Sequence, residues 1–149
     1  MTMLSMDTNL LLYAFNEASP WHKQAYGWMS SIQNEEDVAI SEFILVEFYG
    51  LLRNSAVLHR PLGAAEAVEV VQTYRQHPRW RLLGFTPESR PLHDALWERA
   101  SAGTFGLRRI HDTRSALTMV VQGVTEFATV NTKDFKGVGF RRVWNPLEA

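Results

Sequence analysis

Asp7, Glu47 and Asp112 stand out by their surroundings. Asp7 ends the short apolar run Leu4-Ser5-Met6 and is followed by Thr8-Asn9 and a second apolar stretch, so it falls at a strand–helix junction. Glu47 interrupts Phe43-Ile44-Leu45-Val46-Glu47-Phe48-Tyr49, where an ionised group is costly unless it meets a cation, a hydrogen-bond partner or a water-filled cleft. Asp112 sits at an expected helix N-terminus, where exposed N–H groups and the helix dipole favour a carboxylate. Carboxylates brought together repel one another and need a positive ion, and hard cations such as Mg²⁺ or Mn²⁺ take oxygen ligands while keeping several waters. Such a site activates water and neutralises charge on a phosphate, the chemistry of a phosphodiesterase.

Each acid also has a purely structural reading. Asp7 before Thr8, and Asp112 before Thr113, can act as helix caps; Glu47 can pair with Arg53 or a more distant arginine. Asn131 and Asp134 lie in a polar stretch where turn chemistry is the default.

The elements that must position these residues alternate in type. Strands are expected at Leu4–Met6, Val38–Ile40, Phe127–Val130 and Arg142–Trp144, with an edge strand within Trp80–Phe85. Helices are expected over Leu10–Phe15, Trp21–Ile32, Glu42–Leu52 with Ser41 as N-cap, Ala64 to about Tyr74, and Pro91 to about Ala100. A further helix starts at His111 or Asp112 and stops at Gly123, while Gly103–Arg109 and Asn131–Asp134 read as loops. This alternation argues for an α/β domain with a mainly parallel sheet, whose ligands sit beyond the carboxyl ends of the strands. Asp7, Ser41 and Asn131 all follow expected strands.

Composition is that of an ordinary soluble chain: 149 residues, 46% hydrophobic and 21% charged, the size of one domain over residues 1–149. A formal net charge of −1 gives no global attraction to nucleic acid, so any phosphate-binding surface must be local. The absence of cysteine removes disulfides and thiolate chemistry. The N-terminus lacks the basic region of a signal peptide, and no stretch approaches the ~18 to 20 apolar residues of a membrane span. A cytoplasmic location is expected.

Four motifs in order carry a resemblance to PIN-domain nucleases. Asp7-Thr8-Asn9 after a strand resembles the opening motif, Ser41 followed by Glu47 the second, His111-Asp112 leading into Arg114-Ser115-Ala116-Leu117 the third, and Thr129-Val130-Asn131-Thr132-Lys133-Asp134-Phe135 the fourth. The match spans essentially the whole chain and looks like the toxin of a VapBC-type toxin–antitoxin pair. The resemblance implies a three-layer α/β/α fold, Mg²⁺ or Mn²⁺ dependence, and endonucleolytic cleavage of structured RNA such as tRNA or rRNA. It also implies a homodimer and an inhibitory VapB-like antitoxin.

Carried over residue by residue, Asp7 and Asp112 would be the principal metal ligands and Glu47 would complete the cluster. Asn131 falls at the fourth position, where some family members have aspartate, and Asp134 would supply a further carboxylate. Thr8, Asn9 and Ser41 would fix the carboxylates by hydrogen bonds. Arg108, Arg109, Arg114, Lys133 and Lys136 flank the expected site and would bind RNA phosphates, with a solvated surface as the alternative for each. The tryptophans read as core or interface residues. Competing functions are another acid-cluster phosphodiesterase such as a DNA nuclease, and a non-catalytic interaction protein that keeps the fold. An aspartyl-phosphate phosphatase is disfavoured, because Asn9 stands where a second aspartate is needed.

Overall fold

Short β-rich runs feeding directly into helices give the chain its order. In the computed structural model, which describes residues 1–148 and so leaves Ala149 of the expected domain outside, that order is β1 (Leu4–Met6), α1 (Thr8–Phe15), α2 (His22–Ser31), β2 (Ala39–Ser41), α3 (Glu42–Leu52), α4 (Ala64–Arg75), β3 (Arg81–Leu83), α5 (Ser89–Ala100), α6 (Ile110–Val121), β4 (Glu126–Ala128), α7 (Thr132–Phe135) and β5 (Arg142–Trp144). Two stretches expected to be loops hold helical turns. Leu107–Arg109 forms one turn of 3₁₀ helix running into α6, and Thr132–Phe135 forms α7, whose Asp134 N–H donates back to the Asn131 carbonyl.

All pairing is parallel. β4 lies between β1 and β5, with Met6 opposite Ala128 and Ala128 opposite Trp144. β2 pairs with β3, and a single bridge between Leu4 and Val38 joins that ribbon to β1. The strands thus run β3-β2-β1-β4-β5. The chain winds outward from β1 in one direction and returns to its other side with β4, so the topological switch point lies between β1 and β4. In parallel sheets the crevice for ligands opens there, beyond the carboxyl ends.

Helices cover both faces. Met6, Val38 and Ile40 pack with α1 to α4 in one core, while Ala39 and Phe127 face the other with Leu96, Ala116 and Met119 from α5 and α6. Alternate residues of β2 thus enter opposite cores, the signature of a sheet buried on both sides. Phe127 is fully buried, packs at a tilt against Phe135 and stacks on Phe140, which ties β4 to α7 and the loop beyond it. Truncating such a residue to alanine costs about 3–5 kcal/mol.

Two helix ends turn the chain at opposite edges of the sheet, Ser41 at the carboxyl edge and Gly123 at the amino edge. Ser41 Oγ accepts from the Phe43 N–H (3.1 Å) and caps α3, an interaction worth ~1 kcal/mol. Gly123, at φ 101°, ends α6: its N–H bonds the Val120 carbonyl and the Val124 N–H bonds that of Met119. That left-handed turn, which favours glycine, sends the chain straight into β4.

Candidate active site

Asp7 lies one residue past β1, at the switch point. Its backbone is extended (φ −81°, ψ 159°), and its N–H donates to the Ala128 carbonyl (2.9 Å), prolonging the pairing of β1 with β4. Oδ1 accepts from the Thr8 N–H (2.8 Å), capping α1, and Oδ2 accepts from Thr129 Oγ1 (2.7 Å). The Asn131 N–H in turn donates to Thr129 Oγ1 (3.0 Å) and steadies that hydroxyl. Capping occupies one oxygen of Asp7, so a cap and a second role coexist in one carboxylate.

Only 7% of Asp7 is exposed. Burial pushes its pKa from 3.8 up to about 6 against the pull of the Thr129 and Thr8 hydrogen bonds, and the negative charges of Asp112 and Glu47 raise it further. Asp112 is also raised, first by burial, then by Glu47 and Asp134, with His111 and Arg109 opposing. The carboxylates from β1, α3 and α6 therefore share one electrostatic site.

Glu47 points out of α3 rather than into its apolar packing: with Val46 it forms the exposed edge of the helix, while Ile44, Leu45 and Phe48 are buried. Its solvated position explains how an acid is tolerated in so apolar a segment. Thr8, buried at the start of α1, donates its hydroxyl to Glu47 Oε1. Arg53, the suggested partner of Glu47, instead donates to Tyr49 Oη (2.9 Å). Glu47 and Asp112 line a cavity of about 370 Å³ with Phe43, His111, Arg114 and Ser115. Asp112 occupies the third position of α6, in its first turn, and makes no capping hydrogen bond among the described residues, so it does not act as the cap of that helix. A cavity of about 560 Å³, walled by Phe15, Tyr26, Tyr74 and Trp80 at the opposite end of α1, has no carboxylate in its lining among the described residues, so the acid chemistry and this apolar hollow are separate.

The other candidates are placed as follows. Asn131 is exposed, and its side chain makes no hydrogen bond to a carboxylate among the described residues; Thr129 is the residue of that motif that touches Asp7. Asp134, half-buried on α7, lies near enough to raise Asp112. Arg109 donates through Nη2 to the Asp134 carbonyl (2.7 Å), with Nε 3.8 Å from Oδ1, and lies over the Phe105 ring. It fastens α7 to the start of α6. Arg108, Lys133 and Lys136 are exposed, and Arg114 lies over the Phe43 ring at 5.7 Å. Ser41 is buried and its hydroxyl caps α3 instead of fixing a carboxylate; Asn9 is half-buried, and among the described residues its side chain makes no hydrogen bond to the acids.

A family model for the PIN domain matches residues 5–141. The chain belongs to the PIN-domain family. It is 45% identical over 145 residues to a Mycobacterium tuberculosis protein named ribonuclease VapC24, covering 97% of each chain, and is thus a VapC ribonuclease homologue. The crystal structure of M. tuberculosis VapC20, described as a sarcin–ricin loop cleaving toxin, superposes with a TM-score of 0.67 at 20% identity, covering 92% of this chain and 95% of that one. The VapBC2 complex of Rickettsia felis, solved on a fragment of its promoter DNA, contains a chain that superposes with a TM-score of 0.62 at 17% identity, over 97% and 98%. These superpositions show the PIN fold.

PIN ribonucleases are metal-dependent. Among the described residues no three His, Asp or Glu side chains stand as a ready-made coordinating group. The donor chemistry nevertheless fits a hard divalent cation: Asp7, Glu47 and Asp112 offer only oxygens, and Asp7 and Asp112 hold their protons more tightly first because they are buried and then because Glu47 and a further carboxylate lie near each. The residue that sequence reasoning passes over is Thr129. Its threonine-x-asparagine pattern draws attention to Asn131, whereas the parallel register aligns position 129 with Asp7.

Proposed function

We propose that this chain, as a single PIN domain, is a metal-dependent endoribonuclease, the toxin of a VapBC-type pair. The observation that carries the reading is the placement of Asp7: a buried carboxylate at the sheet's switch point, fixed through both oxygens and electrostatically joined to Glu47 and Asp112. Asp7, Asp112 and Glu47 would hold Mg²⁺ or Mn²⁺. When bound, the cation lowers the pKa of water and offsets charge on the scissile phosphate. The protein's part is positional. Thr8 and Thr129 set Asp7, Thr8 also aims Glu47 at the cavity mouth, and solvated Glu47 accepts a proton from the attacking water. Attack in line on phosphorus leaves a 5′-phosphate and a 3′-hydroxyl. Asp134 and Asn131 border the site, while Arg108, Arg114, Lys133 and Lys136 supply positive charge for the RNA backbone.

The substrate is structured RNA, tRNA or rRNA, in the cytoplasm; the partners are a VapB-like antitoxin and a second copy of the chain. Support comes from the resemblance to VapC24 and the VapBC complex. No helix is long and apolar enough to cross a membrane among the described residues. The test is cleavage of total cellular RNA by the purified, antitoxin-free protein in Mg²⁺ or Mn²⁺ against EDTA, with Asp7→Ala as control. Discrete metal-dependent products that vanish in the variant are expected. Ends carrying 2′,3′-cyclic phosphate would overturn the mechanism, since they require the RNA's own 2′-hydroxyl as nucleophile.

A further inference from the structure

Phe85 is 88% exposed, yet its surroundings are ordered. It follows β3, whose Leu83 is buried opposite Ser41, and the Gln122 side chain donates to the neighbouring Gly84 carbonyl (3.0 Å). Its ring meets Phe43 edge to face at 5.3 Å, and the Arg114 guanidinium lies over the far ring at 5.7 Å. Phe43, Phe85 and Arg114 line a hollow of about 250 Å³ with Ser89, His93 and Thr118. Phe43 and Arg114 also line the acid cavity, so the two hollows share a wall. Phe43 stands four residues, about one turn, before Glu47 on α3, about 6 Å along the axis, comparable to one nucleotide step along a strand.

We propose that Phe85, backed by Phe43 and flanked by Arg114, is a stacking platform for an unpaired nucleobase next to the scissile phosphate of the RNA; the assignment rests on the nuclease reading above. Exposed aromatics beside a cation are the usual receivers of unstacked bases, because every base offers a π-face and the neighbouring phosphate meets the charge. His93 Nδ1 donates to the Ser89 carbonyl (2.7 Å), which leaves Nε2 for a base edge. Thr86, Ser89, His93 and Arg114 place polar groups around the aromatic pair, where the edges of a stacked base would meet them. The loop's anchoring at Gly84 holds the ring in place before RNA arrives, which lowers the ordering cost of binding.

The probe is a short single-stranded oligo(A) carrying 2-aminopurine at each position in turn, bound in Ca²⁺ and scored only where a gel shows it intact. The wild-type protein is expected to quench one position. Phe85→Ala abolishes the quench and weakens binding about 10-fold, the scale of one base–aromatic stack, while Phe85→Tyr retains both. On cleaved cellular RNA, Phe85→Ala raises KM with little change in kcat, and the ends remain 5′-phosphates. Equal quenching by wild type and Phe85→Ala overturns the platform even if metal-dependent cleavage persists. Loss of a dimer by Phe85→Ala in sedimentation, without loss of quench, assigns the patch to an interface between copies and also overturns it. A Phe85-dependent quench in a protein that cuts no RNA leaves the platform standing and removes the nuclease reading instead.

Discussion

Thr129 donates its hydroxyl proton to Asp7 across the switch point of the sheet, over 2.7 Å in space and 122 residues of chain. Both residues sit one position beyond their strands, and the register Met6 opposite Ala128 fixes their meeting. A carboxylate this buried needs its oxygens occupied. Thr129→Val removes one donor while keeping shape and should lower metal affinity about 10- to 100-fold, the usual cost of losing a group that orients a ligand. Calorimetric titration with Mn²⁺ checks it, and an unchanged affinity would make Thr129 merely structural.

The raised pKa of Asp7 sets a pH dependence of stability in the metal-free protein. The folded value of about 6 exceeds the ordinary 3.8, so the folded state binds the proton more tightly than the unfolded chain. Below about pH 4 both states are protonated and nothing is lost; between pH 4 and 6 stability falls, by on the order of 3 kcal/mol, and stays low above. Asp7→Asn, which cannot ionise, is expected to raise Tm by several degrees at pH 7.5 in EDTA and to leave it unchanged at pH 4. Thermal melts at the two pH values decide it.

Metal addition should reverse that penalty. Mn²⁺ is expected to raise Tm more at pH 7.5 than at pH 5, because protonated Asp7 does not ligate. In Asp7→Asn the rise should shrink at both. A rise of the same size in wild type and variant would place the cation elsewhere.

Glu47 is solvated, so its removal should spare the fold. Glu47→Gln is expected to lower kcat by about 10²- to 10⁴-fold, the usual contribution of a positioned proton acceptor, with Tm within a degree or so of wild type. Thr8→Val, which unties Glu47 from α1, should also lower kcat, though less. Single-turnover cleavage rates separate the two.

Ser41 gives the opposite pattern. Its hydroxyl caps α3, and Ser41→Ala should cost ~1 kcal/mol of stability, a few degrees in Tm, while the folded protein keeps its cleavage rate. A large loss of rate at unchanged Tm would return Ser41 to the acid site.

Much of this frame is legible locally. Ser41 before an apolar helix, Gly123 after one, and Asp7 at a strand–helix junction each carry their geometry in a few neighbouring residues. Glu47 stands out for the apolar company it keeps, but its open position depends on which face of α3 the sheet covers, and that is a property of packing. Thr129 escapes notice because a threonine ending a strand is unremarkable until the partner strand is known. The polar run after Asn131 reads as a loop by composition; it closes into a turn of helix because Phe135 is pulled into the core against Phe127 and Arg109 grips the Asp134 carbonyl.

Placing β4 between β1 and β5 also sets when the site comes into being. Asp7 is synthesised 122 residues before Thr129, so the strand that pairs beside it and the hydroxyl that holds it both emerge late. A growing polypeptide can bury α1 to α4 on β1 to β3 and still lack the cradle for its central acid. If Asp7 serves as proposed, the site is complete only after β4 has cleared the ribosomal exit and found its place, so translation itself would delay the enzyme's action.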